Sequence, residues 1–247
     1  MTDASYRDAL FSTPLDRVAS FSFDEQVVRC FPDMIQRSVP GYSQIVGMIG
    51  VIAKRHLRHG ARVYDLGCSL GASTLSVCQQ LAPDACTIEA VDLSPAMVTR
   101  AREVLSQECP DHAVRVCEGD IRTLDYRPAG MIIVNFTLQF LDPGERDAVI
   151  ARLFAALEPG GVLVLSEKVV FDDTDMEATL YDLHHDFKRA NGYSDLEISQ
   201  KRSALEDVMI PDSLPAHHAR LARAGFLRHY TWFQYLNFAS MIAFKAT

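Results

Sequence analysis

The spacing of apolar and polar positions changes along the chain. Within residues 24–37, and again within 43–58, apolar residues recur every three or four positions, which predicts two amphipathic helices broken at Pro40-Gly41. From residue 60 to 168, short apolar runs that end in glycine or a polar residue alternate with helix-like segments. Strands that alternate with helices predict a parallel, doubly wound α/β sheet.

Five apolar runs in this middle segment are predicted to be strands: ARVYDLG, ACTIEAVD, HAVRVCEGD, GMIIVNF and GVLVLSEK. Two helix starts are marked between them. Ser94 precedes Pro95 as an N-cap, and Asp142 with Glu145 predicts a capping box. Gly160 is expected to end the helix that the second of these starts opens.

The pattern changes again after residue 168. Residues 173–190 predict a helix that stops at Asn191-Gly192, and Ser194 with Glu197 predicts a capping box for a helix reaching about residue 208. A short helix over 217–224 precedes two aromatic-rich strands that meet at Leu236-Asn237. Because the link is so short, these two strands must be antiparallel.

A mostly parallel sheet that ends in an antiparallel hairpin is the arrangement of class I S-adenosylmethionine (SAM)-dependent methyltransferases. We therefore predict an N-terminal helical extension over residues 1–59, of which 1–20 form a loose arm, and a SAM-binding domain over 60–247. That domain carries an inserted helical arm at about 173–208.

Composition narrows the function classes. The net charge of the 247-residue chain is -8, which argues against wrapping nucleic acid, so we expect no direct nucleic acid binding. Six cysteines form no CxxC pair and no zinc spacing, so they are expected to be free thiols in a reducing, cytoplasmic setting. No apolar run reaches the ~18 residues that span a bilayer, so no membrane association is expected.

The first predicted strand ends in a glycine loop. Gly67 and Gly71 permit a tight turn and a close approach of a ligand, and the following helix points its N–H groups at the same place. The loop matches G-x-S-x-G on paper, but no histidine is placed to complete a hydrolase triad. By itself the loop is equally compatible with a plain strand-to-helix turn.

The next three strands also end in residues of ligand-binding type. Asp92 is placed to accept ribose hydroxyls, Asp120-Ile121 to meet adenine, and Asn135 to orient an amino acid moiety. Each has a plainer alternative: a helix-capping carboxylate, a turn, and a satisfied buried amide. Four such residues at successive strand ends favour an adenosine-containing ligand, and the glycine spacing favours SAM over NAD.

Other conspicuous residues have plain interpretations. Cys68 is small enough for the glycine loop, and Tyr42 either closes over the methionine end of a cofactor or packs at a helix start. His184 and His185 are adjacent, so on a helix they point about 100° apart, which argues against a metal site.

Four cations stand on the helical arm. Lys201 has Glu197 four residues earlier and Arg189 has Asp186 three residues earlier, so both, together with Lys188, are predicted to be surface partners. Arg202 is least explained by its own helix, and a guanidinium suits bidentate binding of a carboxylate.

Several long motifs resemble one family. FPDMIQRSVPGY, YDLGCSLGAS, EGDIR, NFTLQFL, LSEK and HHDFKRANGYSDLEISQKRS are similar to the carboxy-S-adenosyl-L-methionine (carboxy-SAM) synthases of bacterial tRNA wobble-uridine modification. The resemblance runs from about Arg7 to near the C-terminus. It implies a homodimeric transferase that converts SAM and prephenate to carboxy-SAM and phenylpyruvate. A separate enzyme would then carry the carboxymethyl group to tRNA.

The same resemblance implies a set of cofactor contacts, which are Tyr42, Gly67, Cys68, Ser69, Asp92, Leu93, Asp120, Ile121, Asn135 and Arg202. Arg202 would bind the new carboxylate, in its own site or in a neighbour's, and is the one catalytic candidate. Leu93 departs from the family, where relatives can carry Asn, so only a backbone contact would survive there. The alternatives are a conventional SAM-dependent methyltransferase acting on a small acid and a non-catalytic SAM-binding subunit.

Overall fold

A computed structural model describes residues 7–247 of the chain. The helices are α1 (Glu25–Ser38), α2 (Tyr42–His56), α3 (Ala72–Gln80), α4 (Pro95–Glu108), α5 (Arg146–Ala156), α6 (Thr174–Ala190), α7 (Asp195–Leu205) and α8 (Leu214–Ala224), with a 3₁₀ turn at Leu138–Phe140. The strands are β1 (Ala61–Leu66), β2 (Cys86–Asp92), β3 (Ala113–Glu118), β4 (Ala129–Asn135), β5 (Leu157–Val170), β6 (Asp212–Ser213), β7 (Arg228–Tyr235) and β8 (Phe238–Phe244).

Seven strands lie side by side in the order β3-β2-β1-β4-β5-β8-β7, and the two-residue β6 pairs with the end of β5. Strands β1 to β5 run parallel, whereas β8 is antiparallel to β5 and β7 is antiparallel to β8. Leu66 pairs with Val91 on one side and with Val134 on the other, so the chain changes direction across the sheet at β1. A crevice opens at such a switch point, outside the carboxyl ends of the strands. The predicted fold class is confirmed.

The central strands are buried on both faces. On β4, Ile132 and Val134 belong to the core packed against α5 and α8, while Met131 and Ile133 belong to the core that includes α2 and α3. Successive side chains of a strand point to opposite faces, so an uninterrupted apolar run is expected where both faces are covered. This is why the central strands are unbroken apolar runs.

Most predicted helix ends are confirmed by their caps. Ser94 accepts a hydrogen bond from the Met97 N–H at the start of α4, and Ser194 forms the predicted capping box of α7 with Glu197. The box predicted at Asp142 and Glu145 is wrong. Glu145 makes no capping bond, because its carboxylate instead binds Arg122 at 2.9 Å.

The role predicted for Gly160 is also wrong. Helix α5 ends at Ala156 and β5 begins at Leu157, so Gly160 lies within the strand segment. Its φ of +78° is one that glycine adopts without a steric penalty, and its N–H donates to the Lys245 carbonyl oxygen at 3.1 Å. The glycine therefore shapes an irregular strand start that pairs with the C-terminal residues.

The N-terminal segment is not loose over the part that the structure describes, whereas residues 1–6 lie outside it. The Gln200 side chain accepts from the Leu15 N–H at 2.8 Å and donates to the carbonyl oxygens of Phe11 and Thr13. Asp8 is only 2% exposed. Residues 8–15 are therefore docked on α7. The prediction of a loose arm failed because these partners are far apart in sequence.

Two simpler expectations concern cysteines and membranes. All six cysteines lie within residues 7–247 and are free thiols, as predicted. In the same residues no helix is long and apolar enough to cross a membrane. The predicted boundary at residue 60 falls between α2 and β1, and the division into an extension and a domain stays a prediction.

Candidate functional site

A cleft of about 1240 Å³ opens at the carboxyl ends of the central strands. Nine of the ten predicted site residues line it: Tyr42, Gly67, Cys68, Ser69, Asp92, Leu93, Asp120, Ile121 and Asn135. The tenth, Arg202, lies elsewhere. The cleft thus brings together residues that are up to 93 positions apart in the chain, from Tyr42 at the start of α2 to Asn135 at the end of β4.

The glycine loop has a shape that only a few residue types accept. Gly67 has a φ of +73°, and a Cβ there would lie 2.2 Å from the Thr137 Oγ1 atom. Ser69 also has a positive φ, of +49°, which is uncommon for a residue with a side chain. The N–H groups of Gly67 and Cys68 both donate to the Val91 carbonyl oxygen, at 2.8 and 3.0 Å. The loop is therefore held against β2 before any ligand binds.

Asp92 joins this loop to the start of α4. One carboxylate oxygen accepts from the Ser69 N–H at 2.8 Å, and the other accepts from the Ser94 N–H at 2.9 Å. Burial raises the pKa of Asp92, and these backbone hydrogen bonds oppose that rise. Ser94, not Asp92, caps the helix. Each carboxylate oxygen keeps a lone pair for a further donor, such as a ribose hydroxyl.

The predicted adenine end contains a pair that sequence reasoning missed. Arg122 grips Asp120 with three hydrogen bonds of 2.6 to 3.0 Å, and this guanidinium holds the pKa of the carboxyl below its usual value. Arg122 also binds Glu145, so the three side chains form a chain at the rim. The Ile121 N–H has no hydrogen-bond acceptor among the described residues. It is thus available to a ring nitrogen, while Asp120 keeps only part of its accepting capacity.

Away from the predicted adenine end, the cleft holds an unsatisfied acceptor. Asn135 donates through Nδ2 to the Ser73 Oγ at 3.4 Å, but its Oδ1 is buried with no partner within residues 7–247. Leaving such a group unpaired costs about 1–3 kcal/mol, so a ligand that donates there would be favoured. The ammonium group of an amino acid moiety is such a donor.

Aromatic rings stand beside this acceptor. The Tyr42 ring centroid lies 6.2 Å from that of Phe136, which in turn lies 6.0 Å from Phe238. Phe136 has a positive φ of +59°, so the cleft carries a second uncommon backbone conformation besides that of Ser69. Burial and the nearby Asp65 raise the pKa of the Tyr42 phenol, which keeps it neutral. The glycine loop, Asp92, Tyr42 and the unpaired Asn135 oxygen fit a molecule shaped like SAM, and Phe136 and Phe238 border that part of the cleft.

Lys201 corrects one prediction about the arm. It is 6% exposed and donates to Asp8 at 3.2 Å and to Ser38 at 3.0 Å, so it is not a surface partner of Glu197. Glu197 is occupied by the capping box, where it accepts from the N–H and hydroxyl of Ser194. The ionic partner of Lys201 is therefore Asp8, 193 positions away in the chain, and not Glu197, four positions away.

The prediction that Lys188 is a surface partner is also wrong. Lys188 lines the cleft together with Lys168 and His184 instead of facing solvent. Arg189, the next residue, does point outward and pairs with Asp186 and Asp195 at 2.7 Å each, so its predicted surface role is confirmed.

Arg202 lies on the outer face of the arm. Its guanidinium is exposed, donates to the Tyr181 hydroxyl at 2.8 Å and borders a separate cleft of about 250 Å³. Arg202 does not line the large cleft of its own chain. In this geometry Arg202 does not reach the large cleft of its own chain, and its predicted role as a carboxylate anchor stays a prediction.

Comparison with known proteins decides the family. Residues 63–161 match the family described as Methyltransferase domain. A carboxy-S-adenosyl-L-methionine synthase from Chromohalobacter salexigens is 71% identical over 245 residues, covering 99% of this chain and 91% of that protein. One from Escherichia coli O1:K1 is 54% identical over 242 residues, covering 98% of each. The chain belongs to the carboxy-S-adenosyl-L-methionine synthase family.

Solved structures agree on the fold of this synthase family member. An O-methyltransferase family protein from Burkholderia thailandensis has a TM-score of 0.64 at 18% identity, over 94% of this chain and 66% of that one. PigF, solved with SAH, has a TM-score of 0.63 at 16% identity, over 90% of this chain and 60% of that one. At such identities the likeness concerns the fold alone. The family, the methyltransferase-like fold and the transferase class expected from the sequence are confirmed, and the relatives favour a synthase over a conventional methyltransferase.

Sequence signals for the missed lysines did exist. Lys168 ends the predicted strand GVLVLSEK, so the reasoning applied to the first four strand ends would have selected it at the fifth. Lys188 lies four residues after His184, which places both on one face of α6. No comparable local signal pointed to the pairing of Lys201 with Asp8.

Proposed function

We propose that this protein converts SAM and prephenate to carboxy-SAM and phenylpyruvate. The observation that carries the proposal is the division of one cleft into two chemically different ends. One end offers Asp92, the glycine loop and the unpaired Asn135 oxygen to an adenosyl amino acid. The other end offers lysines and aromatic rings, which suit an acid with a ring. The name shared by the relatives supports the same reaction.

Nine residues are proposed to hold SAM. Asp92 would accept the ribose hydroxyls, and Asp120 with the Ile121 N–H would meet adenine. Asn135 would accept from the ammonium group, and Tyr42 would close over the methionine end. Gly67, Cys68, Ser69 and Leu93 would contribute backbone contacts, since the Leu93 side chain offers no hydrogen bond and is 64% exposed.

The chemistry balances without a protein base. Prephenate loses its ring carboxylate as carbon dioxide and its ring hydroxyl as hydroxide, which leaves aromatic phenylpyruvate. The hydroxide takes a proton from the sulfonium methyl group and becomes water, and the resulting carbanion attacks the carbon dioxide. His184 lines this end, but its pKa is lowered to about 2 by burial and nearby cations, so it is a poor proton acceptor near neutral pH.

We further propose that the protein is a homodimer in which Arg202 of one subunit binds the new carboxylate in the active site of the other. Arg202 is exposed on the arm, where Leu183 and Leu196 are also exposed, at 46% and 37%. Exposed apolar side chains beside an exposed guanidinium fit a surface that a second copy covers. A guanidinium brought to the cleft in this way would bind the product carboxylate through two parallel hydrogen bonds.

In the cell, the product would serve a separate enzyme that modifies the tRNA wobble uridine, in the cytoplasm. The chain itself would not need to touch tRNA, which accords with its net charge of -8.

The reaction is tested by incubating the purified protein with SAM and prephenate and analysing the products by mass spectrometry. We expect a nucleoside heavier than SAM by one carboxyl group, with an equal amount of phenylpyruvate. Isotopic carbon placed in the ring carboxylate of prephenate should appear in the nucleoside. Label that is lost as free carbon dioxide, or S-adenosylhomocysteine formed with another acid as the methyl acceptor, would contradict the proposal.

A further inference from the structure

Two lysines at the acid end of the cleft have no counter-ion. Lys168, two residues before the end of β5, and Lys188, on α6, both line the cleft. Neither Nζ makes a hydrogen bond or a salt bridge with any residue in 7–247. Lys201 lines the same cleft, but its charge is compensated by Asp8 at 3.2 Å. The cleft therefore holds two lysine side chains whose amino groups bind no carboxylate among the described residues.

Their surroundings place them together at one end. Lys168 pairs with Phe238 across β5 and β8, and the Phe238 ring lies 4.9 Å from the ring of His184. Lys188 follows His184 by one helical turn on α6. Phe238 also contacts Phe136, the residue after Asn135. Both lysines thus belong to the end of the cleft that begins where the proposed methionine site stops.

Resting on the proposed function, we infer that Lys168 and Lys188 together bind the side-chain carboxylate that prephenate keeps when it becomes phenylpyruvate. The aromatic wall of Phe136 and Phe238 would then receive the ring of the acid. The two lysines would favour an acid that carries this second carboxylate over small acids that lack it.

The chemistry decides which carboxylate they hold. The transferred carboxylate must give up its charge as carbon dioxide, and a lysine bound to it would stabilise the ground state and slow that loss. The retained carboxylate keeps its charge throughout, so two cations on it do not oppose the reaction. The transferred carboxylate regains its charge only on the sulfonium methyl group, where Arg202 of a neighbour is proposed to meet it.

Burial supports this assignment. Desolvation and the charges of Lys201 and Lys168 lower the pKa of Lys188 to about 7, and desolvation also lowers the pKa of Lys168. Lysines held in this way are stabilised in their charged form by an anion that binds between them. The negative charge of Glu177 partly opposes the lowering of the Lys168 pKa, but the two side chains form no salt bridge.

Phenylpyruvate provides a probe that separates the two anion sites, because it has the retained carboxylate and lacks the transferred one. Its affinity for the protein saturated with S-adenosylhomocysteine can be measured by calorimetry. Lys168→Met and Lys188→Met should each weaken phenylpyruvate binding roughly 10- to 100-fold, from loss of one charge-assisted hydrogen bond. Lys188→Arg should keep most of the affinity, and affinity for SAM should change little in all three variants.

The matched control is Lys54→Met, which makes the same substitution on the exposed face of α2, and its affinity should equal that of the unaltered protein. Unchanged phenylpyruvate binding in both cleft variants would overturn the inference, even if the unaltered protein makes carboxy-SAM from prephenate. If the unaltered protein makes no carboxy-SAM, the proposed function fails, and a lysine-dependent affinity for phenylpyruvate would still stand as an observation in favour of the anion site.

Discussion

The two ends of the cleft differ in how far they are completed by the chain itself. At the adenosine end, Asp92 already accepts two backbone hydrogen bonds and Asp120 is gripped by Arg122. At the acid end, the amino groups of Lys168 and Lys188 have no hydrogen-bond or salt-bridge partner within residues 7–247. Groups that are already hydrogen-bonded need little rearrangement when a ligand arrives, whereas unpaired charges favour an ionic ligand.

This difference indicates that the two ends of the cleft have separate functions. The adenosine end is pre-organised and would hold any adenosyl ligand of suitable shape. The acid end is incomplete, and under the proposed function its occupant would decide between carboxyl transfer and methyl transfer. Substitutions at the two ends should therefore have separable effects on the binding of SAM, of carboxy-SAM and of the acid.

The largest effect is expected at Arg202. Removing one partner of a buried charge pair costs ~2–5 kcal/mol, so Arg202→Ala should weaken carboxy-SAM binding roughly 30- to several-thousand-fold. SAM lacks the new carboxylate and should lose far less. Arg202→Lys should cause an intermediate loss of carboxy-SAM affinity, because it keeps the positive charge but loses the paired N–H donors of the guanidinium. Calorimetry with both nucleosides measures the two losses, and equal losses would show that Arg202 is not the carboxylate anchor.

Controls sharpen this prediction. Arg189→Ala removes a neighbouring guanidinium that is already paired with Asp186 and Asp195, and it should leave both affinities nearly unchanged. Under conditions in which Arg202→Ala and Asp92→Ala protein each show little activity alone, mixing them should give about one quarter of the activity of the unaltered protein, because half of the re-formed dimers would have one intact site of two. No restoration, or only monomer by light scattering, would exclude a shared site.

The next effect concerns the adenosine end. Asp92→Ala should weaken SAM and carboxy-SAM alike, by roughly 10- to 100-fold, from two lost charge-assisted hydrogen bonds that water partly replaces. Asp92→Ala should weaken phenylpyruvate binding only because less nucleoside is bound. When the nucleoside is saturating, the variant and the unaltered protein should therefore bind phenylpyruvate equally well. Unchanged SAM affinity in calorimetry would remove Asp92 from the ribose site.

The sequence predicted the residues of the adenosine end better than the lysines of the arm, for a physical reason. The carboxyl ends of parallel strands meet at one edge, so Asp92, Asp120 and Asn135 could be placed from the order of strands alone. Lys201 was paired with the wrong carboxylate, because its true partner Asp8 arrives from an arm with no periodic pattern. Helical spacing specifies which neighbours are possible, whereas tertiary packing decides which of them is used.

Arg122 and Glu145 illustrate the same limit. Glu145 has the spacing of a capping box after Asp142, yet an arginine from the loop after β3 takes it. Arg122 donates three hydrogen bonds to Asp120 and one to Glu145, so Glu145 ends a chain of ion pairs instead of capping the helix. Such competition between local and distant partners is invisible in a single sequence.

The smallest effect is a pH dependence at the acid end. The pKa of Lys188 is lowered to about 7, chiefly by burial and then by Lys201 and Lys168, so the free enzyme loses this charge as pH rises above about 7. The carboxylates of the acid stay ionised throughout this range. If only the charged form binds, the KM for prephenate should rise about tenfold between pH 6 and pH 8.

The other charged groups at this end define the control. Lys168 faces Lys188 from β5, Lys201 faces it from α7 with Asp8 as its partner, and His184 on the same helix stays neutral with a pKa lowered to about 2. Lys188→Arg keeps its charge at every pH tested, so the rise in KM should disappear in this variant while kcat keeps its own profile. A rise that persists in Lys188→Arg would assign the titration to Lys168, whose pKa burial also lowers, and would leave Lys188 a minor contributor.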